Sequence, residues 1–134
     1  MKMRRAAITA NFNSDIQKVW DVVTDNLHIA WRSDLNKIEV FNGGLTFVEY
    51  TKNDLPTTCT VTLKKPAERY EFDIKSFNMS GHWTGIFSRV GEGSRVEFIE
   101  EVYIENPIMN LFGKIYLNGR QTLYVKDLRK ALGE

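Results

Sequence analysis

The chain has 134 residues, 43% hydrophobic and 26% charged, a composition typical of one globular domain with a single core. Its 18 basic and 17 acidic residues give a formal net charge of +1, without the basic excess that nucleic-acid-binding proteins usually show. The single cysteine excludes an intramolecular disulfide, and no long apolar run follows the basic start. We therefore expect one domain over residues 1–134, a cytoplasmic location, no nucleic-acid partner and no membrane span.

The apolar pattern predicts one strand, two short helices and then six more strands. Apolar residues alternate over residues 6–12, as in a half-buried strand, and recur at helical spacing over 15–24. A second short helical turn is predicted over 27–31. From there the alternation is typical of strands joined by short turns, which predicts an antiparallel meander. The six strands are predicted at residues 37–41, 45–51, 57–64, 69–77, 80–90 and 94–104.

The last segment, residues 106–132, is predicted to form one long helix. Asn106 is a good N-cap, Pro107 suits the first helical position, and Gly133 suits the position just past the end. A sheet that is apolar on one face needs a cover, and this helix is the only predicted element long enough to supply it. The sequence thus predicts an α+β fold: a curved antiparallel sheet of about seven strands wrapped around a long C-terminal helix.

Four features in a fixed order carry a resemblance to a known superfamily. They are residues 19–25 (VWDVVTD) followed by Trp31, residues 81–84 (GHWT), residues 93–98 (GSRVEF), and the long helix. Over essentially its whole length the chain resembles the START-like or SRPBCC superfamily, the helix-grip fold of polyketide cyclases. The resemblance implies a ligand cavity between sheet and helix. It implies no particular reaction, because members range from lipid carriers to cyclases, hydrolases and chaperone activators.

Two carboxylates fall among apolar residues on predicted inner strand faces. Glu100 shares its strand face with Phe98, and Glu49 shares its face with Phe47. A carboxylate in such surroundings is unfavourable unless it is paired, hydrogen-bonded or protonated. Each is therefore a candidate to bind a polar ligand group or to act as acid or base. The alternatives are a bulge that reverses the register, a wet rim, or pairing with an arginine.

The other candidates for the cavity wall are aromatic or lie on the helix. Trp83 shares its strand face with glycines that leave room beside it, and Trp31 is predicted at the cavity entrance. For both, the alternative is a purely structural role. The predicted inner face of the helix carries the remaining candidates, and Tyr116 lies at the edge of that face. The predicted lining residues are Trp31, Phe47, Phe72, Trp83, Phe87, Phe98, Glu100, Phe112, Ile115, Tyr116, Gly119 and Leu123.

Metal and cofactor chemistry find no support in the sequence. The two histidines and Cys59 lack metal-ligand spacing, and no nucleophile elbow, phosphate loop or dinucleotide fingerprint occurs. We expect no cofactor and no metal. On the outer sheet face, Phe41, Ile99 and Tyr103 would mark a homodimer interface if they cluster.

Three functions remain open at this point. The leading hypothesis is binding of a small hydrophobic or aromatic molecule in the cavity between the sheet and the C-terminal helix. The first alternative is an enzyme of polyketide cyclase, dehydratase or hydrolase type that uses Glu100 or Glu49 as acid or base. The second alternative is an interaction module like the chaperone activators.

Overall fold

The computed structural model describes residues 2–134, which form one seven-stranded antiparallel sheet and three helices. The helices are α1 (Ile16–Thr24), α2 (Pro107–Leu111) and α3 (Gly113–Ala131). The strands are β1 (Met3–Phe12), β2 (Leu35–Phe41), β3 (Thr46–Thr51), β4 (Pro56–Lys65), β5 (Arg69–Lys75), β6 (Met79–Val90) and β7 (Gly93–Ile104). Their order in the sheet is β1-β7-β6-β5-β4-β3-β2. The predicted α+β architecture is confirmed.

Strand alternation decides which side chains lie on the concave face of the sheet. On β5 the buried residues are Tyr70, Phe72 and Ile74, and every second residue of β7 is buried. Glu100 belongs to that buried set of β7. In these strands the residues that face inward and outward are the ones that the sequence predicts, because side chains alternate between the two faces of any extended strand.

Only one of the two helices predicted after β1 is present. α1 ends at Thr24, and the backbone of the next residue, Asp25, is extended (φ −86°, ψ 98°). The Asp25 carboxylate accepts hydrogen bonds from the backbone N–H groups of Leu27 and His28, at 3.0 and 3.3 Å. This side-chain turn supplies an alternative to helical hydrogen bonds. The prediction of a second helical turn over 27–31 is therefore wrong.

The predicted long C-terminal helix is divided in two at Phe112. Asn106 caps α2 as predicted, accepting from the backbone N–H groups of the second and third residues that follow it. Phe112 then leaves the helical conformation (φ −96°, ψ 7°), and α3 begins at Gly113. A Cβ on Gly113 would lie 2.9 Å from the Ile104 side chain and 3.0 Å from Arg4. Glycine therefore lets α3 start close against the sheet.

α3 packs on the sheet through a different face from the predicted one. The predicted face included Ile115, which is 73% exposed, and Gly119, which has open space beside it. The amide of Gln121 is buried instead and donates to the carbonyl oxygens of Ala6 and Phe98, at 3.0 and 3.2 Å. Hydrogen bonds to the sheet thus let a polar residue occupy the inner face. The buried residues of α3 are Gly113, Leu117, Gln121, Val125, Asp127 and Leu128.

The convex face of the sheet holds the residues that suggested a dimer. Phe41 and Tyr103 are 46% and 44% exposed. They lie on β2 and β7, which four other strands separate in the sheet order, so the two do not belong to one patch. Homodimerisation stays a prediction. No helix within residues 2–134 has the length and apolar character needed to cross a membrane.

Candidate functional site

An inner cavity of about 50 Å³ lies between the concave face of the sheet and α3. Trp83 on β6 lines it, and the Trp83 ring is stacked between Phe72 of β5 and Phe98 of β7, with centroid distances of 4.8 and 5.2 Å. From the helix side, Tyr124 packs edge-on against Phe98 at 5.1 Å. The aromatic lining residues are Phe47, Tyr70, Phe72, Trp83, Phe98 and Tyr124.

The glycines beside Trp83 accommodate the protein's own atoms. A Cβ on Gly85 would lie 2.9 Å from the Trp83 ring, which therefore covers that position. At Gly81 a Cβ would collide with the backbone of β7. The space that the sequence suggested for a ligand at these glycines is thus filled.

A buried ion-pair network lines one side of the cavity. Arg32, in the loop before β2, binds Asp34 through Nε and Nη2, both at 3.0 Å, and Glu49 of β3 through Nη1 at 3.3 Å. Its guanidinium also lies 4.8 Å from the centre of the Tyr124 ring. Burial lowers the pKa of Arg32, but the two carboxylates and the tyrosine outweigh burial and raise it. Arg32 is therefore a permanently charged centre, and three of its five N–H donors bind these carboxylates.

Glu100 and Arg120 form a second, looser pair on the same cavity. Glu100 lies in register between Ala6 of β1 and Trp83 of β6, and it is 5% exposed. Its Oε1 is 3.7 Å from Nη1 of Arg120 on α3, longer than a charge-assisted hydrogen bond of about 2.7–2.9 Å. Burial raises the pKa of Glu100, while Arg120 opposes the shift only in part. The site thus holds a carboxyl group with an elevated affinity for a proton.

An outer chamber of about 610 Å³ opens beside the inner cavity. Four residues line both spaces: Asp34, Glu49, Thr57 and Arg120. Three of the charged side chains, Asp34, Glu49 and Arg120, therefore lie at the boundary between the two spaces. The outer wall and rim are mostly apolar and include Leu55, Phe77, Met79, Ile108, Met109 and Phe112.

The predicted site residues fall into three groups. Those that line the inner cavity are Phe47, Phe72, Trp83, Phe98, Glu100 and Glu49. Those at the outer chamber are Phe112 and Tyr116, which are 56% and 54% exposed. Those that line neither space are Trp31, Phe87, Ile115, Gly119 and Leu123.

The residues outside both spaces have structural explanations. Phe87 packs in the core, 5.0 Å from Trp20. Trp31 packs edge-on against Tyr124 at 5.3 Å, and its buried indole N–H finds no hydrogen-bond partner among residues 2–134. Ile115 and Gly119 belong to the solvent side of α3, as the burial of Gln121 requires.

Sequence reasoning missed the cations of the site. The sequence predicted an arginine as a partner for a carboxylate but did not identify Arg32 or Arg120. Arg120, Gln121 and Tyr124 follow Leu117 at spacings of three, four and seven, one helical stripe. That spacing could have identified the inner face of the helix, but three of its four residues carry polar groups, so the apolar pattern does not reveal it.

The remaining chemistry-bearing residues lie away from this site. On the convex face, the ring nitrogens of His82 lie 2.7 Å from Asp73 and 2.7 Å from Glu71. Partial burial lowers the pKa of His82, but these hydrogen bonds outweigh it and raise the pKa. Within residues 2–134, no group of three or more histidine, cysteine or acidic side chains is arranged to hold a metal ion.

Comparisons with known proteins agree with this architecture. Residues 3–133 match the family model described as polyketide cyclase / dehydrase and lipid transport. A START superfamily protein from Mycobacterium smegmatis superposes with a TM-score of 0.85 at 9% identity, over 96% of this chain and 97% of that chain. A conserved protein from Geobacillus kaustophilus has a TM-score of 0.82 at 9% identity, over 97% and 95%. An uncharacterized protein from Bacillus thuringiensis has a TM-score of 0.78 at 12% identity, over 98% and 100%. No curated protein sequence matches the chain.

Proposed function

Since the chain belongs to the family of polyketide cyclases, dehydrases and lipid-transport proteins, we propose that it binds a small hydrophobic or aromatic molecule between the sheet and the C-terminal helices. The family assignment confirms the resemblance drawn from the sequence. The observation that carries the proposal is the outer chamber of about 610 Å³, within the range of about 300–1,000 Å³ typical of small-molecule sites.

The two spaces suggest how such a ligand lies. The inner cavity, at about 50 Å³, is too small for more than one polar end or a few atoms of a ligand. The apolar body therefore occupies the outer chamber, against Leu55, Phe77 and Met109. The charged boundary at Glu49 and Arg120 then supplies the few polar contacts that fix the ligand's orientation.

A homologous series of linear alcohols tests this arrangement by calorimetry. Each methylene that enters the apolar chamber contributes about 0.8 kcal/mol, which is about a fourfold gain in affinity. Affinity should rise at that rate with chain length and stop rising once the chamber is full. A flat dependence on chain length, or no binding at any length, would contradict the proposal.

A matched pair of variants locates the binding site. Thr57→Trp places a large side chain in the wall shared by both spaces and should lower alcohol affinity at least tenfold. Thr58→Trp puts the same side chain on the adjacent exposed position of β4, pointing to the other face. It should leave affinity unchanged. Equal effects of the two substitutions would place the binding elsewhere.

A second candidate function is catalysis by Glu100 as a general acid. The observation that favours it is a buried carboxyl group with a raised pKa, 3.7 Å from the cation of Arg120. Glu49 is a weaker candidate, because Arg32 already binds it. With a polyketide-type substrate, Glu100→Gln should abolish turnover and preserve the folded state. Turnover that survives this substitution excludes Glu100 as the acid.

A further inference from the structure

The inner cavity carries an uncompensated negative charge when its acids are ionised. Five charged side chains line it: Arg32, Asp34, Glu49, Glu100 and Arg120. Two are cations and three are carboxylates, so the charged lining has a formal charge of −1, with Arg32 and Glu100 buried and the other three partly buried. An unbalanced charge is costly in a medium of low dielectric constant. The cavity therefore favours one further positive charge.

The unbalanced charge lies at Glu100. Three donors of Arg32 are occupied by Asp34 and Glu49, at 3.0, 3.0 and 3.3 Å. Glu100 has only Arg120 as an ion-pair partner among residues 2–134, and their 3.7 Å separation is too long for a hydrogen bond. Glu100 is thus more than nine-tenths buried, lines the cavity, and keeps acceptor capacity for a donor that enters it.

The aromatic walls leave the choice of ligand charge to Glu100. Trp83, its neighbour across the strand pair, is stacked between Phe72 and Phe98, and the Arg32 guanidinium already lies 4.8 Å from the centre of the Tyr124 ring. The rings therefore shield Glu100 from water rather than supplying a second contact for a cation. Its carboxylate is the group that favours a positively charged ligand end.

We propose that the inner cavity binds the protonated amine end of an amphipathic ligand whose apolar body occupies the outer chamber. This inference rests on the proposed binding function and specifies its ligand class. The ammonium group donates hydrogen bonds to Glu100 and brings the formal charge of the lining to zero. An alcohol leaves the charge at −1, and a carboxylate raises it to −2. Affinity therefore falls from amine to alcohol to carboxylate when the apolar chain is the same.

As the pH falls, a proton on Glu100 neutralises the same charge. Burial favours that proton by raising the pKa of Glu100. Protons therefore compete with the amine for Glu100, and amine binding weakens as the pH falls. The charged and titratable groups that face Glu100 are Arg120 and Tyr124 from α3, Glu49 from β3, and Arg32 and Asp34 from the loop before β2.

Isothermal titration calorimetry with octylamine, octanol and octanoate tests the inference on the full chain. At pH 7 we expect octylamine to bind at least tenfold more tightly than octanol, and octanoate to bind most weakly. The affinity for octylamine should fall as the pH is lowered from 7 to 4.5, because a proton then competes with the amine for Glu100. Octanoate binding as tightly as octylamine, or an octylamine affinity that does not fall over this pH range, would overturn the inference.

Two substitutions assign the preference to one carboxylate. Glu100→Gln should reduce the amine-to-alcohol affinity ratio below threefold, whereas Glu101→Gln, at the next position on the opposite strand face, should leave the ratio unchanged. A ratio unchanged in Glu100→Gln would overturn the inference. If this variant does not fold, the order of the three ligands on the unmodified chain still decides. Tight octanol or octanoate binding without octylamine binding refutes the amine class alone, whereas no binding by any of the three refutes the binding function as well.

Discussion

Arg32→Met should be one of the most destabilising single substitutions near the site. Arg32 is 8% exposed and binds Asp34 and Glu49, so its loss leaves two partly buried carboxylates, 25% and 12% exposed, without their cation. Breaking a buried ion pair from one side costs about 3–5 kcal/mol. Unfolding of 134 residues has an entropy of about 0.28 kcal/mol per kelvin, so a loss of 4 kcal/mol lowers Tm by about 14 °C.

The loss of unfolding free energy in Arg32→Met should depend on pH, because the groups left unpaired are carboxylates. Partial burial raises the pKa of Asp34, but its hydrogen bonds to Arg32 outweigh this and lower it. A lowered folded-state pKa contributes stability that is present above about pH 4, the unfolded value, and is lost as the pH falls through the folded value. The difference between Arg32→Met and the unmodified chain should therefore be largest at neutral pH and shrink below about pH 4.

Urea denaturation at pH 7 and pH 3.5 measures both the loss of unfolding free energy in Arg32→Met and its dependence on pH. Arg89→Met is the matched control, because Arg89 forms an exposed pair with Asp15 at 3.0 Å, with side chains 65% and 57% exposed. Such surface pairs contribute at most about 1 kcal/mol. A loss below 1 kcal/mol in Arg32→Met, or the same loss at both pH values, would refute the assignment of Arg32 as the counter-ion of a buried acid pair.

Three further predictions concern the helix, the sheet and the buried thiol. Gly119→Ala should raise the free energy of unfolding by about 1 kcal/mol with ligand affinity unchanged, since its Cβ meets open space; Gly81→Ala should lower it, since its Cβ meets the backbone of β7. The raised pKa of His82 stabilises the fold below about pH 6.5, and this contribution is lost as the pH rises through the folded value. His82→Asn should therefore flatten the pH dependence of urea unfolding between pH 6 and 8. Burial raises the pKa of the Cys59 thiol, so a thiol reagent should modify native protein no faster than the protein unfolds; immediate modification would contradict this.

The alternation of apolar and polar residues along the strands was sufficient to predict the sheet and the inward position of Glu100. The reason is local, since a residue's side of a strand depends only on its count along an extended backbone. The cap at Asn106 was predictable for the same reason, because its partners are two and three residues away. The long helix was predicted only approximately, as its division at Phe112 depends on the close approach of Gly113 to β7 and Arg4.

The tertiary structure decided the inner face of α3 and the polar half of the site. Gln121 faces inward because carbonyl oxygens on β1 and β7 accept its hydrogen bonds, and those strands are distant in sequence. Arg32 is buried, and Arg120 is partly buried, because carboxylates from other elements neutralise them. The free energy of burying a polar side chain is set by partners that only the folded chain brings within reach. The sequence by itself therefore determined which strand residues face the cavity, whereas the fold determined which charges meet there.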